Sequence, residues 1–273
     1  MTKKRFFFIA ILLLTLWSVL IEPRWVAHRN FDAKFNKAEP LGLKVILTSD
    51  WHFTKSPLWR VMTHALAEEI IADINKTKPD IILITGDLIA EPTQKPVFAK
   101  TVEDEIAQTL GKLEASKGVY AVLGNHDNWY NHALMKQALE QQHIQVLENE
   151  VRYIAPAQLW LAGIGDDTTN HADVTKAVSR IPKNAPTLLM MHDPASFAEL
   201  PYLNSLSFAG HTHGGQVYIP WYGALIIPSR APRTWAYGWV QHSNNRMYVT
   251  SGLGVSILPV RFNMRPEWVQ FNI

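Results

Sequence analysis

Hydrophobicity along the chain falls into three regimes. Residues 6–21 (FFFIAILLLTLWSVLI) form an apolar run broken only by Thr15 and Ser18, with Lys3, Lys4 and Arg5 before it and Glu22, Pro23 and Arg24 after it. A run that is apolar on every side reads as a membrane-directed helix, because a core helix keeps its apolar residues to one stripe. Sixteen residues at about 1.5 Å each reach roughly 24 Å, short of the roughly 30 Å hydrocarbon core, and Trp17, Trp25 and snorkelling basic side chains can cover the deficit. A cleaved signal peptide is the competing reading. Residues 19–27 offer no A-x-A cleavage pattern, which favours an uncleaved anchor over 1–21. Arg24, Arg29, Lys34 and Lys37 compete with the leading basic cluster over orientation. The expectation is a single-pass anchor in the cell (inner) membrane, with the following domain outside the cytoplasm.

Residues 22–42 are polar and of mixed charge and read as a tether, after which a domain over 43–273 begins. Its first half alternates short apolar runs with helical periodicity. Strands are expected at 44–49, 80–85 and 118–123, with a helix over 58–76 carrying Met62, Leu66, Ile70 and Ile74 on one face and another over 97–115 carrying Val102, Ile106 and Leu110. Strands joined by long helical crossovers make a parallel sheet. Past residue 144 the pattern shifts to short strands (144–147, 151–154, 159–164, 187–191, 206–209, 247–250 and 268–273), which implies a second sheet. Residues 210–238 read as a long structured loop system, and long ordered loops usually carry function.

Composition narrows the chemistry. Three of the 26 Lys and Arg precede the apolar run, leaving 23 basic against 24 acidic residues in the remainder. A near-neutral domain is not expected to hold nucleic acid by bulk charge. With no cysteine in the sequence, disulfides, thiolate metal sites and a cysteine nucleophile are excluded. Any metal must be held by the 11 histidines or by Asp, Glu or Asn.

Five polar motifs each follow an apolar strand: Asp50-Trp51-His52, Gly86-Asp87, Gly124-Asn125-His126-Asp127, His192 in MMHDP, and Gly210-His211-Thr212-His213-Gly214-Gly215-Gln216. In an open α/β sheet the C-terminal strand edge is where ligands bind. A single such histidine is most often structural, but five motifs in order, all built from oxygen and imidazole donors, point to a metal site. Where the backbone is extended, the D-x-H spacing puts both side chains on one face, so Asp50 and His52 are expected to grip one ion together, and His211 and His213 share that spacing. The neighbouring glycines are expected to turn the backbone tightly.

This set of motifs resembles the calcineurin-like metallophosphoesterases, whose pattern runs D-x-H, G-D, G-N-H-D/E, a lone H and G-H-x-H, and the match covers residues 43–273. The later GHTHGGQ, SGLG, LPVRF and RPE segments resemble the membrane-associated bacterial phosphodiesterase branch, with UDP-2,3-diacylglucosamine hydrolases as more distant relatives. The resemblance implies a four-layer α/β/β/α sandwich of two mixed sheets. It also implies that Asp50, His52 and His213 hold one divalent ion, that Asn125, His192 and His211 hold a second, and that Asp87 bridges them. Manganese, iron and zinc all suit such donors, and manganese is expected to support activity in vitro.

Two ions so placed would supply an activated water for in-line attack on phosphorus, and the expected activity is that of a phosphodiesterase or pyrophosphatase. A phosphomonoesterase or cyclic-nucleotide phosphodiesterase is the alternative, and a non-catalytic metal-binding scaffold would have lost ligands that this protein keeps. His126 is expected to protonate the departing alkoxide or stabilise the equatorial oxygens, with Asp127 hydrogen-bonding its imidazole, capping a helix over 131–142, or both. Trp51, Phe53, Leu58, Trp59, Trp129, Tyr130, Trp221 and Tyr222 either line an apolar mouth for a lipid-linked substrate or pack the loops onto the sandwich, and packing is the commoner use. Arg230, Arg233, Arg261 and Arg265 either clamp a second phosphate or pair with surface acids. Asp166 and Asp167 take no role from sequence.

Overall fold

The computed structural model describes residues 3–35, 40–56, 60–90 and 102–273. In sequence order its strands are β1 (Ala27–Asp32), β2 (Lys44–Thr48), β3 (Ile81–Ile84), β4 (Val119–Ala121), β5 (Ile144–Val146), β6 (Glu150–Ile154) and β7 (Leu159–Gly163). They continue as β8 (Thr187–Met190), β9 (Ser205–Ala209), β10 (Tyr218–Ile219), β11 (Gly223–Ala224), β12 (Gly238–His242), β13 (Asn245–Val249) and β14 (Glu267–Asn272). The helices are α1 (Lys3–Leu16), α2 (His64–Lys76), α3 (Val102–Leu110), α4 (Asn125–Gln141) and α5 (Val174–Val178).

Two six-stranded sheets result, ordered β1-β14-β2-β3-β4-β5 and β12-β13-β9-β8-β7-β6. Strands β2 to β5 run parallel, as do β7 to β9, while β14 runs antiparallel to β2. The apolar strands alternate between two buried faces. Val45, Leu47, Leu83 and Phe271 of the first sheet meet Leu161, Leu188, Met190 and Phe208 of the second between the sheets. Ile46, Ile82 and Ile84 face outward onto Ile70, Ile74, Ile106 and Leu139 of α2, α3 and α4. On the far side Ala162, Leu189 and Val249 pack on Val174, Ala177 and Phe197. This is the expected α/β/β/α sandwich.

Three expectations change. Within the stretch read as a tether, residues 27–32 form edge strand β1, paired parallel with β14. Most of its side chains are exposed and polar; besides the backbone pairing, Arg29 reaches Glu267 Oε2 at 2.6 Å, His28 stacks on Trp268 at 3.8 Å, and Phe31 packs on Phe271 and Tyr248 at the edge of the inter-sheet core. Residues 144–146 and 267–272, counted with the later strands, belong to the first sheet. Strand β12 emerges at the end of the long loop region. The starts of the helices expected at 58 and 97 lie partly outside the described residues; α2 is capped by Thr63, whose Oγ1 accepts from Leu66 N at 3.1 Å.

Before the sandwich, α1 widens into a π-helical stretch (Trp17–Ile21) and a 3₁₀ turn (Glu22–Arg24). Residues Phe7–Arg24 are long and apolar enough to cross a membrane. The end of this segment docks on the sandwich: Arg261 N donates to Ser18 O at 2.9 Å, and Met264 N to Glu22 Oε1 at 2.6 Å.

Candidate metal centre

Every motif residue lies just beyond a central strand: Asp50 and His52 after β2, Asp87 after β3, Asn125 after β4, His192 after β8, and His211 and His213 after β9. Both sheets thus deliver donor side chains at the C-terminal ends of their parallel strands. The convergence is not achieved by extended D-x-H spacing. Asp50, His52, Asp87, His211 and His213 all have left-handed backbone, with φ between 48° and 68°. For non-glycine residues this conformation is uncommon and costs of order 1–3 kcal/mol each, so the surrounding packing must hold it. Gly86 itself turns with φ of 88°, and a Cβ there would stand 2.6 Å from the Gly124 nitrogen, so glycine is required by both turn and approach. Gly210 has ordinary φ but presses on Ser49 and Asp50, leaving no room for a side chain.

Two donor groups face each other. On one side His52 Nε2 lies 3.0 Å from His213 Nε2, and Asp50 Oδ1 stands 3.4 Å from His213 Nε2 and 3.9 Å from His52 Nε2. On the other, His192 Nε2 lies 3.2 Å from Asn125 Oδ1 and 3.1 Å from His211 Nδ1. Asp87 Oδ2 sits between them, 3.5 Å from His52 Nε2 and 3.3 Å from His192 Nε2. Its other oxygen accepts the His126 N–H at 2.9 Å. Lone-pair atoms crowded at such distances are what a central cation reconciles: donors about 2.1 Å from a tetrahedral ion lie about 3.4 Å apart. The residues present therefore fit a pair of divalent ions.

Protonation in the first donor group agrees with that fit. Burial lowers His52 to about 3, and burial, His52 and the nearby Arg261 guanidinium lower His213 well below the usual histidine range. Both rings are neutral at pH 7 and keep a lone pair for a cation. Burial would raise the Asp87 carboxyl, but His192, His126 and His52 hold it well below the usual range; the same contact holds His192 well above its own despite burial. Burial and the Asp87 charge raise the Asp50 carboxyl, which accepts the His211 N–H at 3.1 Å.

Residues 43–218 match the profile of the calcineurin-like phosphoesterases. The chain belongs to that family. It is 30% identical over 237 residues to the uncharacterized metallophosphoesterase YkuE of Bacillus subtilis, covering 85% of this chain and 79% of that one. It is 28% identical to the phosphodiesterase YaeI of Escherichia coli, covering 90% and 87%. At 28% it also resembles a transmembrane protein with a metallophosphoesterase domain from Danio rerio, covering 83% of this chain and 52% of that one. As a calcineurin-like phosphoesterase the protein is a metal-dependent phosphoric ester hydrolase, and its His/Asp clusters are able to hold metal.

In this phosphoesterase Asp127 does not touch the His126 ring. Its Oδ1 accepts from Leu88 N at 2.9 Å and Ile89 N at 3.3 Å, and its Oδ2 from Gly124 N at 3.0 Å. Helix α4 begins at Asn125, before the expected residue 131, with a break at Asn131, so Asp127 lies in its first turn and ties that turn to the loop after β3. The partner of the His126 ring is Ala90 O, 3.2 Å from Nδ1. The arginine clamp does not assemble. Arg230 pairs with Asp167 and Glu199 at the surface, Arg233 lies over Tyr222, and Arg265 lies over Trp25. Arg261 is fully buried and donates to Ser251 O at 2.7 Å and Gly254 O at 2.6 Å beneath His213.

The aromatics divide. Trp51, Phe53 and Tyr130 are core, whereas Trp129, Trp221 and Tyr222 are exposed; Leu58 and Trp59 lie outside the described residues. Asp166 is buried and accepts from Thr169, and Asp167 lines a cleft of about 370 Å³ with Thr168, Asn170, Asp193 and Arg230. Sequence reasoning missed Asp193. Its Oδ2 stands 3.6 Å from His211 Nε2 and accepts from Thr168 Oγ1 at 3.0 Å, while Pro228 O is 2.8 Å from the same His211 nitrogen. Backing of this kind fixes which nitrogen a histidine offers. Its only sequence signal is adjacency to His192.

Proposed function

We propose that the protein is a membrane-anchored dinuclear phosphodiesterase that hydrolyses phosphodiester or pyrophosphate bonds of a lipid-linked substrate, its catalytic domain lying outside the cytoplasm. The observation that carries this reading is Asp87 Oδ2, placed 3.5 and 3.3 Å from imidazole nitrogens of two separate donor groups. Asp50, His52 and His213 would hold one ion, Asn125, His192 and His211 the other, and Asp87 would serve both. Ions bound there supply an activated water and withdraw charge from the phosphoryl oxygens.

The protein's own groups do the rest. Asp87 is fixed by the His126 N–H on its Oδ1, so its Oδ2 cannot rotate away without losing that bond. With its Nδ1–H donated to Ala90 O, His126 is left with Nε2 toward the site, where its ring packs edge-on to His52 at 4.8 Å. A protonated Nε2 there can deliver a proton to the departing oxygen or a hydrogen bond to the phosphoryl group. The lipid-linked substrate is supported by the apolar segment Phe7–Arg24, whose end packs directly on the catalytic sandwich.

The test is turnover by the manganese-loaded full-length protein in detergent. Bis-(p-nitrophenyl) phosphate should be cleaved in preference to p-nitrophenyl phosphate, and a polyprenyl pyrophosphate in preference to inorganic pyrophosphate. Activity on the monoester alone would overturn the phosphodiesterase reading, and metal uptake without turnover of any ester would favour a scaffold.

A further inference from the structure

Two loops leave the metal centre and end in exposed apolar tips. The first follows His213 and folds into the β10–β11 hairpin; residues 216–229 contain no charged side chain. The second follows Gly252 and Gly254, which pack on Asp50 and His52, and residues 247–260 are equally free of charge. The loops are tied together. Gln216 Oε1 accepts from Ser256 N at 2.6 Å, its Nε2 donates to Leu258 O at 3.1 Å, and Tyr218 N donates to Phe262 O at 2.9 Å. Three residues beyond Leu258, Arg261 N donates to Ser18 O at the end of the apolar N-terminal segment.

The tips are not ordinary surface. Trp221 is wholly exposed, Ile226 is 79% exposed, Ile257 85% and Leu258 54%. Trp221 and Ile257 also have left-handed backbone, with φ of 64° and 62°. Bulky and β-branched residues rarely adopt it, so the fold maintains a strained backbone in order to present apolar side chains to the outside. The cation packed on the first tip is Arg233, whose guanidinium lies 4.2 Å from the Tyr222 ring centroid and donates to Ala224 O at 2.9 Å, and exposed apolar side chains rimmed by a basic group mark an interaction site. Continuity with the N-terminal segment identifies the occupant. Trp17 and Trp25, packed edge to face at 5.6 Å, lie where that segment meets the sandwich, and paired tryptophans are typical of the membrane–water boundary.

We propose that the 221–226 and 257–258 tips enter the lipid interface beside the anchor and form a second contact with the bilayer. The metal centre then opens at the lipid surface, between tips and anchor. This rests on the reading of residues 7–24 as a membrane anchor.

The protein has no native cysteine, so single cysteines report position cleanly. Ile226→Cys and Ile257→Cys in the full-length protein, labelled with a nitrobenzoxadiazole dye, are placed in phosphatidylethanolamine/phosphatidylglycerol vesicles. Leu13→Cys reports the anchor, and Tyr153→Cys on β6 reports exposed surface elsewhere. The labels at 226 and 257 are expected to lose about half or more of their emission to a lipid spin-labelled just below the head group and to resist aqueous iodide, as groups buried about 5–10 Å deep do. Iodide quenching equal to that at 153 would overturn the proposal. So would shielding from iodide without quenching by lipid, which would place a second copy of the protein on the tips. Lipid quenching at 13 but not at 226 and 257 would leave the anchor standing and remove the tips. Quenching at the tips but not at 13 would remove the anchor alone.

Discussion

Glu267 is fully buried on β14 and accepts five hydrogen bonds. Its Oε2 takes Arg29 Nε at 2.6 Å and Tyr237 OH at 2.8 Å; its Oε1 takes Tyr248 OH at 3.0 Å, Thr250 Oγ1 at 3.1 Å and, at the limit of range, Ser251 N at 3.5 Å. One carboxylate therefore joins edge strand β1, the second sheet and the start of the loop that packs on Asp50. Glu267→Gln keeps the shape but leaves one acceptor oxygen, and the new NH₂ must face the donors on one side. Tyr237 can rotate to accept, and Arg29, 43% exposed, can turn to water. Hydrogen bonds to a charged acceptor are worth roughly 1.5–3 kcal/mol each, so two lost and partly recovered bonds give a net cost of about 2–4 kcal/mol. For a domain of this size each kcal/mol moves Tm by about 2–4 °C, and the variant should melt roughly 5–15 °C lower. Scanning fluorimetry on the detergent-solubilised protein with chelator present measures this without any contribution from lost metal. A fall below about 2 °C would refute the argument that the five donors depend on one buried charge. Because Leu253 N and Gly254 N bond to Ser49 O and Asp50 O, metal-loaded Glu267→Gln should also show a lower kcat.

His126→Ala should retain its metal by elemental analysis while turnover falls about 10²–10⁴-fold, the usual scale of general acid catalysis; loss of metal instead would make His126 a ligand. Asp87→Ala should lose both ions, and near wild-type metal content would contradict its bridging position. Burial would raise the Asp80 carboxyl, but hydrogen bonds from Lys117, the Lys44 N–H and Ser116 hold it below the usual range. A carboxyl lowered by folding adds stability above its unfolded pKa of about 3.9 and loses that contribution as pH falls through the folded value. The Tm difference between wild type and Lys117→Met should accordingly be present at about pH 6 and shrink as the pH falls below about 4, and a difference that grows with acid would sink the assignment.

The hydrophobic pattern made much of this visible. Apolar runs such as 80–85 and 187–191 report burial on both faces, and the motifs at 50–52, 87, 125, 192 and 211–213 carry donors whose chemistry allows little besides a metal. Periodicity fails where side chains do not bury. Strand β1 lies at the sheet edge with four of its six side chains exposed, and its contacts through His28, Arg29 and Phe31 are to residues more than 200 positions away, so its largely polar sequence reads as a tether. Strand β14 reads as a member of the later sheet because nothing local says that it will pair with β2.

Local order also misled on partners. Asp127 adjoins His126 in sequence, yet as the third residue of α4 its carboxylate turns back to the Gly124, Leu88 and Ile89 N–H groups, which no loop spacing reveals. The four late arginines, two close pairs in sequence, take four different partners in space, one of them wholly buried beneath His213. By itself the sequence determined which donors exist, in what order, and that apolar strands would carry them to one edge, because residue type and hydrophobic period are local properties. Only the tertiary structure decided that five of those residues reach the site through left-handed backbone, that Asp87 stands between two donor groups, and that the loop ending at Arg261 meets the end of the apolar N-terminal segment. Those facts depend on which distant segments pack together, and that is set by the shape of the whole core.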